Sequence, residues 1–301
     1  MTSENNNRII LFVVGMHRSG TSALTAALRA CGASTGDDVI PAQEGVNSDG
    51  FWEDKRVVEL NEVLLKKSGL DWYLVKANSE ISHDNTDVER ATQIISDGFG
   101  DGIVEVVKDP RFCITLPFWL DICQSLGVTV KICVIDRSKQ EIAQSLYKRD
   151  GFPVSYGYDL AKNYQLLTEK VPTDISIAYN QLVVSPRDVV AQLVAALDLP
   201  LSVNERAVNE AVKPKLKHQI AEADKNLEKS AGCSQLLSEM TQAFVDRGHK
   251  LTELGEMHSY ALSIVEERDK ELAEIKARLR WLKPIIKILR ILGLINHRQQ
   301  Q

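Results

Sequence analysis

The sequence has few cysteines and no long hydrophobic segment, and both absences limit what the protein can be. Its five cysteines are odd in number and lie mostly in apolar runs, without a CxxC pair or a histidine at metal-ligand spacing. This pattern argues against a disulfide scaffold and a metal site, and favours reduced packing cysteines in a cytoplasmic protein. No run approaches the roughly 18 apolar residues that a membrane-spanning helix needs. The apolar run Ile9–Val14 is also too short for a signal-peptide core.

The chain likewise lacks an excess of basic charge. Lys and Arg number 36 against 41 Asp and Glu, which gives a net charge of −5 and argues against nucleic acid as a partner. The C-terminus is an exception, because residues 275–301 contain seven Lys and Arg and no acidic residue. With Trp281 and the apolar residues around Lys287 and Arg290, this tail has the composition of an interfacial helix. We expect it to dock on the inner membrane face or on a protein partner, unless it packs on its own coiled coil.

The first two hundred residues alternate short β-branched runs with segments of helical period. This alternation predicts an α/β fold in which a central parallel sheet is flanked by helices. The run IILFVV does not alternate in polarity, so its strand is expected to be buried on both faces. The predicted strands are Ile9–Val14, Ile103–Val107, Val128–Ile135 and Ile175–Ala178. The predicted helices are Ser22–Cys31, Val57–Lys67, Thr115–Leu126, Lys139–Lys148, Tyr158–Glu169 and Arg187–Leu197.

After Pro200 the strand signals end and charged helical segments follow. Between Leu254 and Leu282, apolar residues recur at alternating steps of four and three, which indicates a heptad seam with two polar interruptions. Pro284 ends this pattern, and Ile285–Ile295 then predicts an apolar helix. We therefore expect an α/β domain over residues 1–230 and a helical coiled-coil extension over 231–301 that ends in the basic amphipathic helix.

The most informative segment is Gly15-Met-His-Arg-Ser-Gly-Thr-Ser22, which joins the first strand to the first helix. Backbone N–H groups in such a loop, together with the helix N-terminus, form a concave anion site. Gly20 permits the tight turn and Arg18 brings a permanent charge. The spacing matches the GxxxxG of a nucleotide-binding P-loop, but Thr21 stands where an NTPase has lysine. An ordinary strand–turn–helix connection with a capping serine is the alternative.

A second anion-binding pattern follows the strand Val128–Ile135. Arg137 stands at the strand end and Ser145 follows two helical turns later, so that both side chains can reach one phosphate. The alternative is that Arg137 pairs with a nearby carboxylate and Ser145 is exposed. Asp136 ends the apolar strand as a Walker B acid would, which leaves a Mg²⁺-dependent phosphotransferase open.

These segments resemble the sulfotransferase superfamily. The loop is similar to the family's P-[KR]-[ST]-G-T-[ST], with His17 in place of Pro. Tyr179-Asn-Gln-Leu-Val-Val-Ser-Pro186 resembles the family's Y-E-D-L-x-x-x-P stretch, where its role is packing. With the Arg137 segment, the matches cover roughly residues 9–200 in the family's order. The resemblance implies a P-loop NTPase-like sulfotransferase fold, here the domain over residues 1–230, that uses 3′-phosphoadenosine 5′-phosphosulfate (PAPS).

The resemblance also implies roles for individual residues. Arg18 would hold the bridging and sulfuryl oxygens, and residues 19–22 would bind the 5′-phosphate. Arg137 and Ser145 would hold the 3′-phosphate, the group that distinguishes this cofactor from ATP. The implied cofactor-binding residues are His17, Arg18, Ser19, Gly20, Thr21, Ser22, Arg137 and Ser145.

The sequence departs from the small-molecule sulfotransferases at the catalytic base. Their Lys-Thr-His segment corresponds to Lys108-Asp-Pro-Arg111, which has no histidine. Branches that act on carbohydrates and on protein tyrosines instead use a glutamate downstream of the loop, and Gly50-Phe-Trp-Glu53 is similar in position. The following Gly69-Leu-Asp-Trp-Tyr73 resembles a G-x-x-W-Y stretch of heparan-type enzymes.

Glu53 is therefore the predicted general base. Its neighbours Phe51 and Trp52 would raise its pKa, as a base requires. Alternatively, Glu53 is only an N-terminal charge on the following helix. The substitutes for the base are Glu44 and Asp109.

Lys108 is expected to stabilise negative charge on the leaving phosphate, although Asp109 and Arg111 next to it could form a purely structural pair. The catalytic residues expected are Glu53, Arg18 and Lys108. The expected activity is in-line sulfuryl transfer to a hydroxyl of a carbohydrate or glycolipid acceptor, with a carboxylate base. The alternatives are a P-loop phosphotransferase that uses ATP and Mg²⁺, and an inactive membrane-docked coiled-coil scaffold.

Overall fold

The computed structural model describes residues 8–36, 38–41 and 50–212. Glu44, the predicted coiled-coil extension over residues 231–301 and its basic tail lie outside these ranges, so those predictions are not addressed by the structure. Four cysteines fall within the described ranges, and each is a buried thiol: Cys31, Cys113, Cys123 and Cys133.

Four parallel strands form the centre of the domain, in the order β2-β1-β3-β4. Their bounds are Ile9–Val14 for β1, Val104–Lys108 for β2, Thr129–Asp136 for β3 and Ile175–Ala178 for β4. β1 and β4 match the predicted bounds, whereas β2 and β3 begin and end one residue later than predicted. The predicted α/β fold with a central parallel sheet is confirmed.

Nine helices pack around this sheet in the described part of the chain. They are α1 Thr21–Ala30, α2 Lys55–Lys67, α3 Asn85–Asp97, α4 Phe112–Ser125, α5 Lys139–Asp150, α6 Val154–Thr168, α7 Tyr179–Val184, α8 Pro186–Ala196 and α9 Glu205–Ala211. The sequence predicted bounds for six of them, expected helices without bounds after Pro200, where α9 lies, and missed α3 and α7. None of these helices has the combination of length and hydropathy that a bilayer span requires.

The sheet separates two hydrophobic cores, which explains the uninterrupted apolar run of β1. Ile10, Phe12 and Val14 face the core that α2 to α6 cover, while Leu11 and Val13 face the core shared with α1, α8 and α9. Each fully buried side chain of this size stabilises the fold by about 1.5–3 kcal/mol. A strand with helices on both faces therefore has no polar position, as the sequence predicted.

The order of the strands in the sheet determines where the candidate site lies. Because all four strands are parallel, their carboxyl ends lie at one edge, where ligands bind in open α/β sheets. The loop after β1 lies between the ends of β2 and β3, since β1 pairs with both. Lys108 ends β2 and Asp136 ends β3.

Candidate anion-binding and catalytic site

The loop after β1 has the backbone shape of an anion site. Arg18 and Gly20 have positive φ angles, of 69° and 101°, and the Ser19 N–H donates to the Met16 carbonyl at 3.1 Å. Gly20 precedes α1 without a side-chain cap. A Cβ at Gly20 would lie 2.3 Å from Cδ2 of Tyr179, so only glycine fits there. The loop thus delivers the uncapped N-terminus of α1 to the carboxyl edge of the sheet, where an anion can bind.

Two polar atoms of this loop are buried without a hydrogen-bond partner in the described ranges. They are Oγ of Ser19, a residue only 2% exposed, and Nε2 of His17. Buried polar atoms are nearly always hydrogen-bonded in folded proteins. Both atoms lie in a loop whose backbone can bind an anion. A bound ligand would therefore supply their missing hydrogen-bond partners.

The loop is joined directly to α5. The Arg18 Nε donates to the Ser145 Oγ at 2.7 Å, and the Arg137 Nη1 donates to the Arg18 carbonyl at 2.8 Å. The structure therefore brings together the two segments from which the sequence predicted phosphate binding. The contact between the Arg18 guanidinium and Ser145 was not predicted, because Arg18 was assigned to the sulfuryl oxygens.

Arg137 is held by an aromatic ring and a carboxylate as well as by the loop. Its guanidinium carbon lies 4.1 Å from the centre of the Tyr179 ring, and its Nε donates to Glu141 Oε2 at 3.0 Å. Both side chains of this ion pair are nearly buried. Of the alternative that the sequence left open, the pairing of Arg137 with a nearby carboxylate is observed, but the exposure of Ser145 is wrong because Ser145 is buried.

A third guanidinium, that of Arg149, lies on the same side of the loop and was not predicted. It packs 5.6 Å from the Trp72 ring and pairs with Asp150 at 2.8 Å. Burial, followed by the charges of Arg149 and Arg137, lowers the pKa of Arg18 to about 10. The contributions of Arg149 and Arg137 show that three guanidinium charges lie close together here. Arg149 follows Ser145 by four residues, a helical spacing that could have revealed it in the sequence.

On the opposite side of the loop, Glu53 and Lys108 form a buried ion pair. The Lys108 Nζ lies 2.5 Å from Glu53 Oε1 and 3.3 Å from the Ser22 hydroxyl. Burial raises the pKa of Glu53, with the Lys108 charge opposing and the Asp109 charge adding to this shift. The pair places a carboxylate and an ammonium beside the start of α1.

Asp54 rather than Glu53 caps helix α2. The Asp54 carboxylate accepts hydrogen bonds from the backbone N–H groups of Arg56 and Val57. Trp52 adopts a positive φ of 56°, and the Arg29 guanidinium lies over its ring at 4.2 Å. The suggestion that Glu53 serves only as a helix N-terminal charge therefore does not describe its contacts, because its carboxylate lies inside, against Lys108.

Asp109 pairs with Arg111, the purely structural arrangement that the sequence left open. It is fully buried, and it accepts hydrogen bonds from Asn61 Nδ2 at 3.0 Å, from the Arg111 backbone N–H at 2.8 Å and from Arg111 Nη1 at 3.0 Å. The side-chain oxygen of Asn61, Oδ1, accepts a hydrogen bond from Trp119 Nε1 at 2.8 Å. Three donors thus occupy the Asp109 carboxylate.

His17 belongs to an aromatic cluster beside the loop. Its ring lies 4.4 Å from that of Trp72, which also contacts Tyr73 and Phe152. Burial and the charges of Arg111, Arg149, Lys108 and Arg18 lower the pKa of His17 well below 6.5. The imidazole is therefore neutral at neutral pH.

A cavity of about 300 Å³ opens next to the loop on the side of α5 and α6. Its wall includes Gly15, Ser19, Asp136, Arg137, Tyr164 and Thr168. The site therefore offers room for part of a small-molecule ligand.

No model of a protein family matches this chain, and no curated protein sequence matches it either. Solved structures similar to the chain include the sulfotransferase domain of the Synechococcus PCC 7002 olefin synthase. That match has a TM-score of 0.40 and 13% identity, and it covers 76% of this chain and 85% of that domain. The sulfotransferase domain of the curacin biosynthetic pathway matches with a TM-score of 0.34 and 17% identity over 68% of this chain and 78% of that one. Sulfotransferase STF1 of Mycobacterium tuberculosis H37Rv matches with a TM-score of 0.35 and 15% identity over 76% of this chain and 78% of that one.

Proposed function

We propose that this protein is a sulfotransferase that transfers a sulfuryl group from PAPS to a hydroxyl of a carbohydrate or glycolipid acceptor. One observation carries the proposal. The phosphate loop and the Arg137–Ser145 segment are 119 and 127 residues apart at their two points of contact, yet direct hydrogen bonds join them. A site with two adjoining anion-binding elements suits a nucleotide that carries phosphate at both its 5′ and 3′ positions.

The residues present fit this ligand. The N-terminus of α1 and the hydroxyls of Ser19, Thr21 and Ser22 would hold the 5′-phosphate, while Arg137 and Ser145 would hold the 3′-phosphate. Arg18, which contacts Ser145, would contribute charge between them. When bound, PAPS supplies the sulfuryl group that is transferred.

Glu53 would remove the proton from the acceptor hydroxyl. Burial raises its pKa while Lys108 favours its charged form, and a carboxylate balanced in this way can accept a proton near neutral pH. Asp109 is less suited because three donors already occupy its carboxylate. Lys108, between Glu53 and Ser22, would offset negative charge on the leaving phosphate.

The aromatic cluster supports a sugar-containing acceptor. Trp72, Tyr73 and Phe152 lie beside His17 at the start of the loop and are partly exposed. Apolar faces with a few polar groups are typical of small-molecule sites. An acceptor bound there would have its hydroxyl on the loop side of the cluster.

The first test is calorimetry with 3′-phosphoadenosine 5′-phosphate and with adenosine 5′-phosphate. We expect the first nucleotide to bind about tenfold tighter or more, because charge-assisted hydrogen bonds hold its additional phosphate. Arg137→Ala should remove this preference, whereas Arg187→Ala, at an exposed arginine on α8, should retain it. Equal affinities in the wild type, or an unchanged preference in Arg137→Ala, would contradict the proposal.

Transfer itself can be measured with ³⁵S-labelled PAPS against crude glycolipid and polysaccharide fractions. Label incorporated into either fraction identifies the acceptor class. Nucleotide binding without transfer to a broad glycan panel would instead favour the inactive scaffold.

A phosphotransferase that uses ATP and Mg²⁺ is the second candidate. The position of Asp136 at the end of β3, in the wall of the cavity beside the loop, favours it. Thr21 in place of the P-loop lysine weighs against it. Turnover that persists in excess chelator would exclude this candidate.

The basic tail would hold the enzyme at an anionic membrane surface, where glycolipid acceptors are found. Deleting residues 284–301 should then abolish co-sedimentation with anionic liposomes. Unchanged co-sedimentation would favour a coiled-coil or protein partner for this segment.

A further inference from the structure

Tyr179 begins α7, directly after β4, and its ring is almost completely buried. The sequence resemblance assigned this tyrosine to packing alone. In the structure, one face of the ring lies 4.1 Å from the guanidinium carbon of Arg137. This distance is well within the range of a cation–π interaction, which is stronger where water is excluded.

The same ring also packs against the phosphate loop. A Cβ at Gly20 would lie 2.3 Å from Cδ2 and 2.7 Å from Cε2 of Tyr179, so the ring occupies the space that the glycine leaves. Tyr179 therefore touches both elements to which the two phosphates of the donor nucleotide are assigned.

The remaining contacts of Arg137 define its orientation. Nη1 donates to the Arg18 carbonyl and Nε donates to the Glu141 carboxylate, and both bonds run along the edge of the planar guanidinium. The Tyr179 ring covers one face of that plane. The two hydrogen bonds at the edge of the guanidinium and the ring over its face together restrict rotation and tilt of the group.

We propose that Tyr179 is a positioning residue, which holds Arg137 against the phosphate loop and thereby sets the preference for a nucleotide with a 3′-phosphate over one without it. This inference rests on the proposed function. It differs from a packing role because it predicts an effect on one phosphate of the ligand and not on the other.

The test compares the affinities of 3′-phosphoadenosine 5′-phosphate and adenosine 5′-phosphate in Tyr179→Leu and Tyr179→Phe. Tyr179→Leu keeps an apolar side chain but removes the ring face, so it should weaken binding of the first nucleotide by about three- to thirtyfold. Because leucine keeps an apolar side chain against Gly20, the affinity for adenosine 5′-phosphate should change by less than about twofold, which also shows that the variant is folded. Tyr179→Phe keeps the ring face and should restore most of the preference. Asn180→Ala, at the exposed neighbouring position, is the matched control.

A double-mutant cycle separates positioning from general stability. In the Arg137→Ala background, Tyr179→Leu should have no further effect on the affinity for 3′-phosphoadenosine 5′-phosphate, because the group it positions is absent. Equal and additive losses for both nucleotides would overturn the inference.

The outcomes also distinguish this inference from the proposed function. If the wild type does not prefer 3′-phosphoadenosine 5′-phosphate, the proposed function fails. If the wild type prefers it, Arg137→Ala abolishes the preference and Tyr179→Leu retains it, only the role of Tyr179 is overturned.

Discussion

The two sides of the phosphate loop differ in how their charges are arranged. On the α5 side, the guanidiniums of Arg18, Arg137 and Arg149 lie near one another, and two carboxylates, those of Glu141 and Asp150, pair with them. On the β2 side, two cations pair with three carboxylates: Lys108 pairs with Glu53, and Arg111 pairs with Asp109 and Glu62.

On this difference, one side of the loop would bind the nucleotide and the other would transfer the proton. Three guanidiniums close together, with fewer carboxylates than cations around them, suit the binding of phosphate. A buried carboxylate with a raised pKa, beside one lysine, suits the movement of a proton. Substitutions on the α5 side should therefore change nucleotide affinity, and substitutions on the β2 side should change turnover.

The largest effect is expected for Glu53→Gln. Loss of the general base should lower turnover by about 100- to 10,000-fold while the affinity for 3′-phosphoadenosine 5′-phosphate changes by less than about threefold. Steady-state kinetics and calorimetry measure the two quantities. Glu62→Gln is the control, because Glu62 is a half-exposed carboxylate that pairs with Arg111.

Glu53→Gln should also lower stability, because Lys108 is 1% exposed and loses its partner. Removing one member of a buried pair costs about 3–5 kcal/mol, so activity must be corrected for the folded fraction. Near-full turnover, or a loss of nucleotide affinity as large as that of Arg137→Ala, would contradict the division between the two sides.

Gly20→Ala tests how firmly the loop is held on the α5 side. The new Cβ would collide with the Tyr179 ring in addition to the strain of a φ of 101°. The free energy of unfolding in urea should fall by more than the roughly 1–3 kcal/mol expected from backbone strain alone. Gly69→Ala is the matched control, since Gly69 also has a positive φ but no atom within 4 Å of the added Cβ. Equal losses in the two variants would show that the ring contact does not constrain the loop.

Ser145→Ala should have a smaller effect, confined to nucleotide binding. Loss of one hydroxyl that contacts Arg18 should weaken binding of 3′-phosphoadenosine 5′-phosphate by about three- to tenfold, with turnover at saturation nearly unchanged. Ser138→Ala, an exposed serine at the start of the same helix, serves as control in the same calorimetric titration. A larger change in turnover than in affinity would place Ser145 on the catalytic side of the comparison.

A further expected effect, on stability rather than on the site's chemistry, is a pH dependence that arises from His17. The folded protein holds the pKa of His17 well below 6.5, so the unfolded chain binds a proton more readily than the folded one as the pH falls through 6.5. The stabilisation is therefore complete above pH 6.5 and declines below it, by at most about 1.4 kcal/mol per pH unit. His17→Gln should flatten the curve of unfolding free energy between about pH 6.5 and 5.

Local patterns in the sequence were sufficient to predict the four strands and most of the described helices. Helix α6 begins at Val154 rather than at the predicted Tyr158, so that Gly157 lies within its first turn. In the structure Gly157 lets α6 approach α5, and a Cβ there would lie 3.0 Å from the Cα of Ala143. Helix α3 was missed although Asp84 and Asp87 form a capping box, a signal that the sequence does contain.

The contacts within the site could not be predicted in the same way. The sequence identified Arg18, Ser145, Glu53 and Lys108 as candidates, but the pairs that they form depend on which strands flank β1. That order is a property of the whole sheet and leaves no trace in local periodicity. The resemblance assigned Arg18 to the sulfuryl oxygens, and in the structure its Nε donates to Ser145.

The hydrogen bond from Arg137 to the Arg18 carbonyl has a consequence for the order in which the protein is assembled. The phosphate loop is synthesised before both of its partners. Arg137 follows Arg18 by 119 residues, and Tyr179, whose ring packs on Gly20, follows later still. Closing so long a segment carries an entropic cost that β3, α5 and α7 must offset by packing. A nascent chain that ends before Tyr179 should therefore contain the loop sequence without a finished nucleotide site, and nucleotide binding should mark the completion of the α/β domain rather than its beginning.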